Sequence, residues 1–348
     1  MTDPRTPVPR VLPLVLGVLL ATGAAGAWWL DSARPVPPDE VARAEAWRGT
    51  EALLAAPAPA PAPAPAAAWA DVRADLARQL EALGPAPDDR TSAAARAGRP
   101  SPAGGTGGVS PGDAGDAGDA AEPGATASAV LRTTATALAG DALAAEDPAL
   151  ARVLAAAAVS RATAARQLAV PQGPAPQVPA PAGADLCDAA GDPAPGRTTA
   201  PGAVLWSALD RAGYAFEALA ARTGTAPDAA APDVAAPAGA VPAELAARAR
   251  ADVEELLGSP SARRVLAADP GLPAGAYVLP EDVREHPGRV ADTAARDVQD
   301  AAAHVLARGD AGDRCWALVA LERATGLRAA LTGEVDALPG VVRDDPPR

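Results

Sequence analysis

Residues 202–222 read GAVLWSALDRAGYAFEALAAR, and this stretch decides the fold class of the chain. Its apolar residues recur at spacings of four, three, four and three: Leu205, Leu209, Ala212, Phe216 and Leu219. Such spacing places them on one face of a helix, as in the seam of a helical bundle. The stretch therefore predicts a helix that packs against several others.

Three further stretches predict partners for this helix, at residues 242–257, 287–307 and 312–331. In the second of them spacings of four, four, three and four link Val290, Ala294, Val298, Ala301 and Val305. Alanine on such seams allows helix axes to approach closely. We therefore expect an all-α fold in which residues 201–342 form an up-down four-helix bundle.

The composition favours helices and argues against nucleic-acid binding. The chain has 348 residues, of which 98 are alanine, and it contains no isoleucine and few aromatic residues. This disfavours strands. The 32 glycines and 39 prolines concentrate in connecting segments, which indicates linkers. A formal net charge of −13 does not provide the basic surface that nucleic-acid binding requires.

The residues before the predicted bundle divide into helical segments and linkers. Apolar spacing predicts short helices at 39–56 and 69–83, and a helical hairpin at 126–145 and 148–170. Alternating proline and alanine make 57–66 an extended spacer. The predicted segments are the short helices with their spacer (31–83), a disordered linker (84–125), the hairpin (126–170) and a Pro-rich linker (171–200).

Residues 11–30, VLPLVLGVLLATGAAGAWWL, predict a membrane anchor because twenty uncharged residues can span about 30 Å as a helix. Arg5 and Arg10 precede the run and acidic residues follow it, which places residues 1–10 in the cytoplasm and the body outside. The alternative is a signal peptide cleaved at the small residues 25–27, which would release a secreted protein.

The two cysteines, Cys187 and Cys315, would then lie in an oxidising compartment. An even number of cysteines there favours a disulfide between them, while two unpaired thiols remain the alternative.

Two stretches carry a resemblance to a known family. They are ALDRAGYAFEALAART at 208–223 and GAYVLPEDVREHPGRVADTAARDVQDAAAHVL at 275–306, followed by ALPGV at 337–341. Together they resemble the exported ferritin-like domain family of unknown function from high-GC Gram-positive bacteria, over about residues 201–342. The resemblance implies a ferritin-like four-helix bundle that is exported or membrane-tethered and has no assigned activity.

The chain departs from that family where a metal site would lie. Typical members carry a Glu-His pair early in the first bundle helix, and the alignment puts Leu209 and Asp210 there. A ferritin-type di-metal site also needs Glu-x-x-His pairs, and the sequence has none. Weak candidates for an atypical metal site are Glu217, Asp297, Asp300, His304 and Glu322.

Asp297, Asp300 and His304 share one side of their helix, where a solvated flank with an Asp300–His304 pair is the simpler interpretation. No catalytic constellation and no cofactor motif is recognised. The favoured hypothesis is a membrane-anchored, non-enzymatic envelope protein, with a homo-oligomer or another envelope protein as partner. The alternative is a metal-dependent ferritin-like protein with an atypical carboxylate site.

Overall fold

The computed structural model describes residues 35–56, 65–98, 123–169, 200–224, 241–272, 277–279, 283 and 285–341. These residues form ten α-helices and no strand, which confirms the predicted all-α class. In chain order the helices are α1 (Pro38–Ala55), α2 (Pro65–Ala82), α3 (Asp89–Gly98), α4 (Pro123–Ala144), α5 (Pro148–Ala169), α6 (Ala200–Gly224), α7 (Ala243–Leu257), α8 (Pro260–Ala268), α9 (Pro287–Arg308) and α10 (Ala311–Thr332).

Helix α5 lies at the centre of the described structure. It packs against α4, α9, α10, α2 and α1, and every residue from Leu154 to Ala165 is buried. The sequence predicts only one apolar face for this helix, so its burial on all sides is a correction. A helix can be covered all round when most of its side chains are small or apolar, and residues 155–158 are four consecutive alanines.

Helices α6, α7, α9 and α10 contact one another in a closed order: α6 packs against α7 and α9, and α10 packs against α9 and α7. A Cβ built on Gly202 would lie 3.3 Å from a carboxylate oxygen of Asp313. One built on Gly309 would lie 3.0 Å from the Asp313 Cβ. The start of α6 therefore lies beside the end of α9, and the two helices run antiparallel.

One hydrophobic core crosses the predicted domain boundary at residue 201. It joins Leu138 of α4 and Leu154 of α5 to Leu209 of α6, Val298 of α9 and Leu321 of α10. A smaller cluster, built around Trp69 and Leu76 of α2, packs against the other end of α4 and α5. The hairpin of α4 and α5 therefore shares its core with helices α6 to α10.

Two short helices differ from the sequence prediction. Helix α3 lies in the segment at 84–125, which the sequence analysis predicts to be disordered. It packs against α1, and its residues Thr91 and Ala95 are buried. Helix α8 is capped by Ser259, whose hydroxyl accepts a hydrogen bond from the Ala262 amide at 3.2 Å. Helices this short form only through tertiary packing, which apolar spacing does not report.

The segment after α10 is held against the body by close backbone contact. Gly340 has a φ of 71°, and a Cβ there would lie 2.6 Å from the Gln299 carbonyl oxygen of α9. Only glycine allows both the left-handed conformation and this approach. The side chain of Gln79 in α2 also donates a hydrogen bond to the Ala337 carbonyl at 3.1 Å.

A buried arginine joins three helices at the side of the core. Arg161 of α5 is 2% exposed and donates to the Gln79 Oε1 at 2.9 Å and to the Thr50 hydroxyl of α1. Burial lowers the pKa of Arg161 to about 10, since the guanidinium has lost most of its hydration. The contacts of Arg161 connect α1, α2 and α5 through neutral polar groups.

Several predicted features lie outside the described residues. They are the anchor at 11–30, Cys187, the linker at 171–199 and most of the spacer at 57–66; the last two spacer residues begin α2. Within the described ranges, none of the helices combines the length and apolarity that crossing a membrane would require.

Replacing Arg161 should destabilise the protein strongly. Arg161→Ala leaves Gln79 and Thr50 without their buried donor and opens a cavity, so we expect a loss of about 2–4 kcal/mol in the free energy of unfolding. Urea denaturation measures it, with Arg132→Ala on the exposed face of α4 as the control. If Arg161→Ala and Arg132→Ala lose the same free energy of unfolding, the contacts of Arg161 with α1 and α2 do not stabilise the protein.

Asp141 of α4 should make stability depend on pH. Burial raises the pKa of Asp141 to about 6, and the charge of Glu45 in α1 adds to the effect. The folded state therefore holds the proton more tightly than the unfolded state, and this stabilisation is lost as pH rises from about 4 through 6. Asp141→Asn keeps a neutral side chain, so we expect it to gain about 1–2 kcal/mol over wild type at pH 7.5.

Near pH 4 the Asp141→Asn variant should match wild type in urea denaturation, because both side chains are then neutral. When variant and wild type are compared at the same pH, the contributions of the other titrating groups to the free energy of unfolding cancel. A difference in stability that is the same at both pH values would contradict the assignment.

Candidate functional site

The five residues proposed as metal ligands lie in different surroundings. Glu217 of α6 and Asp300 of α9 are exposed, Asp297 and His304 of α9 are partly exposed, and only Glu322 of α10 is buried. Across the described part of the chain, no group of three or more His, Cys, Asp or Glu side chains is placed to hold a metal ion. The structure therefore does not bring these candidates together.

Glu322 is the one candidate that points into the protein, and it is paired with a cation. Its side chain is 4% exposed and forms an ion pair with Arg166 of α5, whose side chain is 16% exposed. Arg166 also donates to the Thr163 hydroxyl at 3.0 Å, one turn earlier on α5. The pair connects the central helix to α10, and its two charges neutralise each other inside the protein.

A second polar network lies one turn further along α10. Thr325, three residues after Glu322, accepts a hydrogen bond from the Gln299 amide of α9 at 2.9 Å and donates to the Leu321 carbonyl at 2.7 Å. Arg328 donates to the Gln299 Oε1 at 3.0 Å and to Asp292 at 2.8 Å. Each of these buried polar groups has a partner within the protein, as stable cores require.

The flank of α9 behaves as a charged surface. Asp297 lies 3.7 Å from the Arg211 guanidinium of α6, and both side chains are about half exposed. Partial loss of hydration beside the neighbouring side chains raises the pKa of Asp300 although the residue is exposed, and the charge of Asp297 raises it further. No hydrogen bond or ion pair joins Asp300 to His304 among the contacts of the described residues, so that expected pair is not formed.

The position at which the resembled family carries Glu-His serves packing and positioning here. Leu209 is completely buried in the core. Asp210 accepts a hydrogen bond from the Tyr277 hydroxyl at 2.7 Å, and the Tyr277 ring lies 5.8 Å from that of Tyr214. Asp210 therefore holds Tyr277 against α6.

Cys315, in the first turns of α10, is disulfide-bonded. Cys187, the other cysteine in the sequence, lies outside the described residues. The pairing of the two cysteines therefore stays a prediction.

The sequence analysis missed the residues that carry the buried polar contacts. They are Thr50, Gln79, Arg161, Arg166, Gln299, Thr325 and Arg328. A signal was present for α5, because Arg161 and Arg166 lie in a helix of 22 residues that contains ten alanines and no acidic residue. A charged side chain with no polar face around it must either reach solvent or find a buried partner.

Removing one member of the Glu322–Arg166 pair should cost more than removing both. Glu322→Ala leaves Arg166 partly buried without its anion, so we expect a loss of about 3 kcal/mol in the free energy of unfolding. The double variant with Arg166→Ala removes both charges and should lose less than the sum of the two single variants. Denaturant unfolding of the four proteins measures the coupling.

The exposed pair of Arg250 and Glu254, whose side chains are 47% and 64% exposed, supplies the matched control. Its coupling should stay below about 1 kcal/mol, because water screens both charges. Additive losses at Glu322 and Arg166 would mean that the two residues do not stabilise each other.

No family model matches the chain, and no curated protein or solved structure matches it either. The arrangement of the site therefore rests on the contacts of this chain alone, and the family resemblance stays a hypothesis.

Proposed function

We propose that this chain is a membrane-anchored extracytoplasmic protein of the cell envelope, in which a ferritin-like four-helix bundle without di-metal ligands acts as a structural or interaction module. The closed contact order of α6, α7, α9 and α10 supports the bundle. The resemblance over residues 201–342 supports its ferritin-like character. A homo-oligomer or another envelope protein is the partner that such a module would take.

The observation that carries the proposal is the Glu322–Arg166 ion pair. In a ferritin-type centre, carboxylates from several helices converge so that their charges bind two cations. Here the buried carboxylate of Glu322 in α10 faces the Arg166 guanidinium from α5, and Arg328 lies one to two turns further along α10. Two guanidinium groups beside the interior repel a metal cation, while they hold the helices in one arrangement.

The location of the body is supported by two features of the chain. The apolar run at 11–30, preceded by Arg5 and Arg10, is long enough to span a bilayer with the body outside. The disulfide at Cys315 fits an oxidising compartment, since disulfides rarely persist in a reducing cytosol. The linkers rich in proline, alanine and glycine would hold the helical body away from the membrane.

The purified full-length chain should contain no stoichiometric metal. Cells are grown with iron and manganese, the protein is extracted from membranes with detergent, and its metal content is measured by elemental analysis beside that of Glu322→Gln. We expect the same negligible content in both, because Arg166 already neutralises the buried carboxylate. Stoichiometric iron or manganese that the Glu322→Gln variant loses would establish the metal-dependent alternative.

The same preparation tests the anchor. Intact mass should correspond to a chain that retains residues 11–30, and protease added outside spheroplasts should degrade the body. A mature chain that starts at Trp28 would overturn the anchor in favour of a cleaved signal peptide.

A further inference from the structure

A groove of about 210 Å³ lies where the start of α1, the end of α2 and the start of α5 meet. Its floor is apolar and is formed by Ala82, Leu83, Ala149, Leu150 and Val153. Leu83 and Leu150 belong to the main hydrophobic core, and Val153 packs against it. The floor is therefore continuous with the core, and the packing of the folded body determines its position.

The residues described at the rim of this groove are mainly acidic. Asp39, Glu40 and Asp147 provide carboxylates, and Arg43 provides a guanidinium. Arg43 is already engaged, because it pairs with Glu40 at 3.2 Å and donates to two backbone carbonyls after α2 at 3.2 and 3.0 Å. Among the ion pairs of the described residues, none includes Asp39 or Asp147. The negative charge of these two carboxylates is therefore not balanced by a salt bridge in the described structure.

Asp39 and Asp147 contact backbone amides instead. Asp39 accepts hydrogen bonds from the amides of Glu146 and Asp147 at 3.0 and 2.7 Å. Asp147 accepts one from the Ala149 amide at 2.9 Å. A carboxylate has about four lone-pair sites, so each of the two can accept further hydrogen bonds. The N-termini of α1 and α5 carry roughly half a positive charge each, so these helix ends offset about one of the two negative charges and leave about one for a cation to meet.

The acceptors of the groove are in place before a ligand binds. The hydrogen bonds of Asp39 attach the start of α1 to the turn between α4 and α5. Those of Arg43 attach α1 to the residues that follow α2. A preformed site lowers the entropy cost of binding, because fewer side chains must be ordered together with the ligand.

We propose that this groove binds a short alkylammonium ion, with its aliphatic chain on the apolar floor and its ammonium group at the carboxylates of Asp39 and Asp147. An ammonium group has three donors that can reach separate acceptors. Both oxygens of Asp39 already accept one hydrogen bond each, which disfavours the parallel pairing that a guanidinium forms. A free aliphatic amine and a lysine side chain both offer an ammonium group, and the chain itself contains no lysine. The site does not depend on the proposed role as an envelope module.

Titration of the full-length protein with n-pentylammonium, followed by saturation-transfer NMR of the ligand, tests the site. We expect saturable binding in the millimolar range, at least tenfold tighter than that of pentanol, which has the same chain and no charge. Asp147→Asn should weaken pentylammonium binding at least fivefold, because asparagine caps a helix as well as aspartate does but carries no charge. Ala149→Phe should abolish it, because Ala149 lines the groove at an exposed position and the larger side chain fills the space.

Glu51→Gln removes an exposed carboxylate near the other end of α1 and should bind pentylammonium as wild type does. Circular dichroism establishes that each variant is folded. The proposal is overturned if either Asp147→Asn or Ala149→Phe, when folded, binds pentylammonium like wild type. It is also overturned if pentanol binds as tightly as pentylammonium, or if wild type shows no saturable binding at tens of millimolar pentylammonium.

A second titration identifies the source of the ammonium group. The peptide acetyl-Gly-Lys-Gly-amide carries a lysine side chain, and if it displaces pentylammonium, the groove admits a lysine of a partner protein. If pentylammonium binds and the peptide does not displace it, the groove is a site for a free amine. Failure of pentylammonium to bind would leave the metal content and the location of the chain unchanged. A stoichiometric metal lost with Glu322→Gln would overturn the envelope module and leave the groove intact.

Discussion

Helix α5 can be covered on every side because most of its buried residues are alanine. Five other helices pack against it, and all of residues 154–165 are buried. A methyl group occupies little volume, so the neighbouring helix backbones approach closely and dispersion contacts accumulate along the whole length. Helices α1, α2 and α4 pack against α5, and so do α9 and α10, so α5 joins the N-terminal helices to the C-terminal part of the core.

The same helix brings its few polar side chains into the interior, and this determines what the protein can do there. Arg161 bonds to Gln79 and Thr50, while Arg166 neutralises Glu322. Buried charges are stable only when paired or fully hydrogen-bonded, so these contacts also specify how the helices sit against each other. Arg166 already neutralises the buried Glu322 carboxylate. A groove that opens to the surface lies between α6 and α9.

Most of the larger helices could be predicted from the sequence, and the interior of the candidate site could not. Proline and glycine mark the ends of α5, α9 and α10, and apolar spacing marks their packed faces. The short helices α3 and α8 were not predicted, since tertiary packing rather than a local sequence pattern stabilises them. Of the proposed ligands, spacing predicts that Asp297, Asp300 and His304 share one side of α9, but it could not show that Glu322 meets Arg166, which lies 156 residues earlier in the chain.

By itself, the sequence determined that the chain is helical, where the long helices lie and which regions connect them. These properties follow from local rules: backbone preference, the helical period, and the effects of proline and glycine. Only the tertiary structure decided that α5 is central, that its arginines find partners on α1, α2 and α10, and that a groove remains between α6 and α9. The physical reason is that a buried charge or an unfilled space depends on which side chains meet across helices, and alanine-rich seams of equal spacing do not specify those pairs.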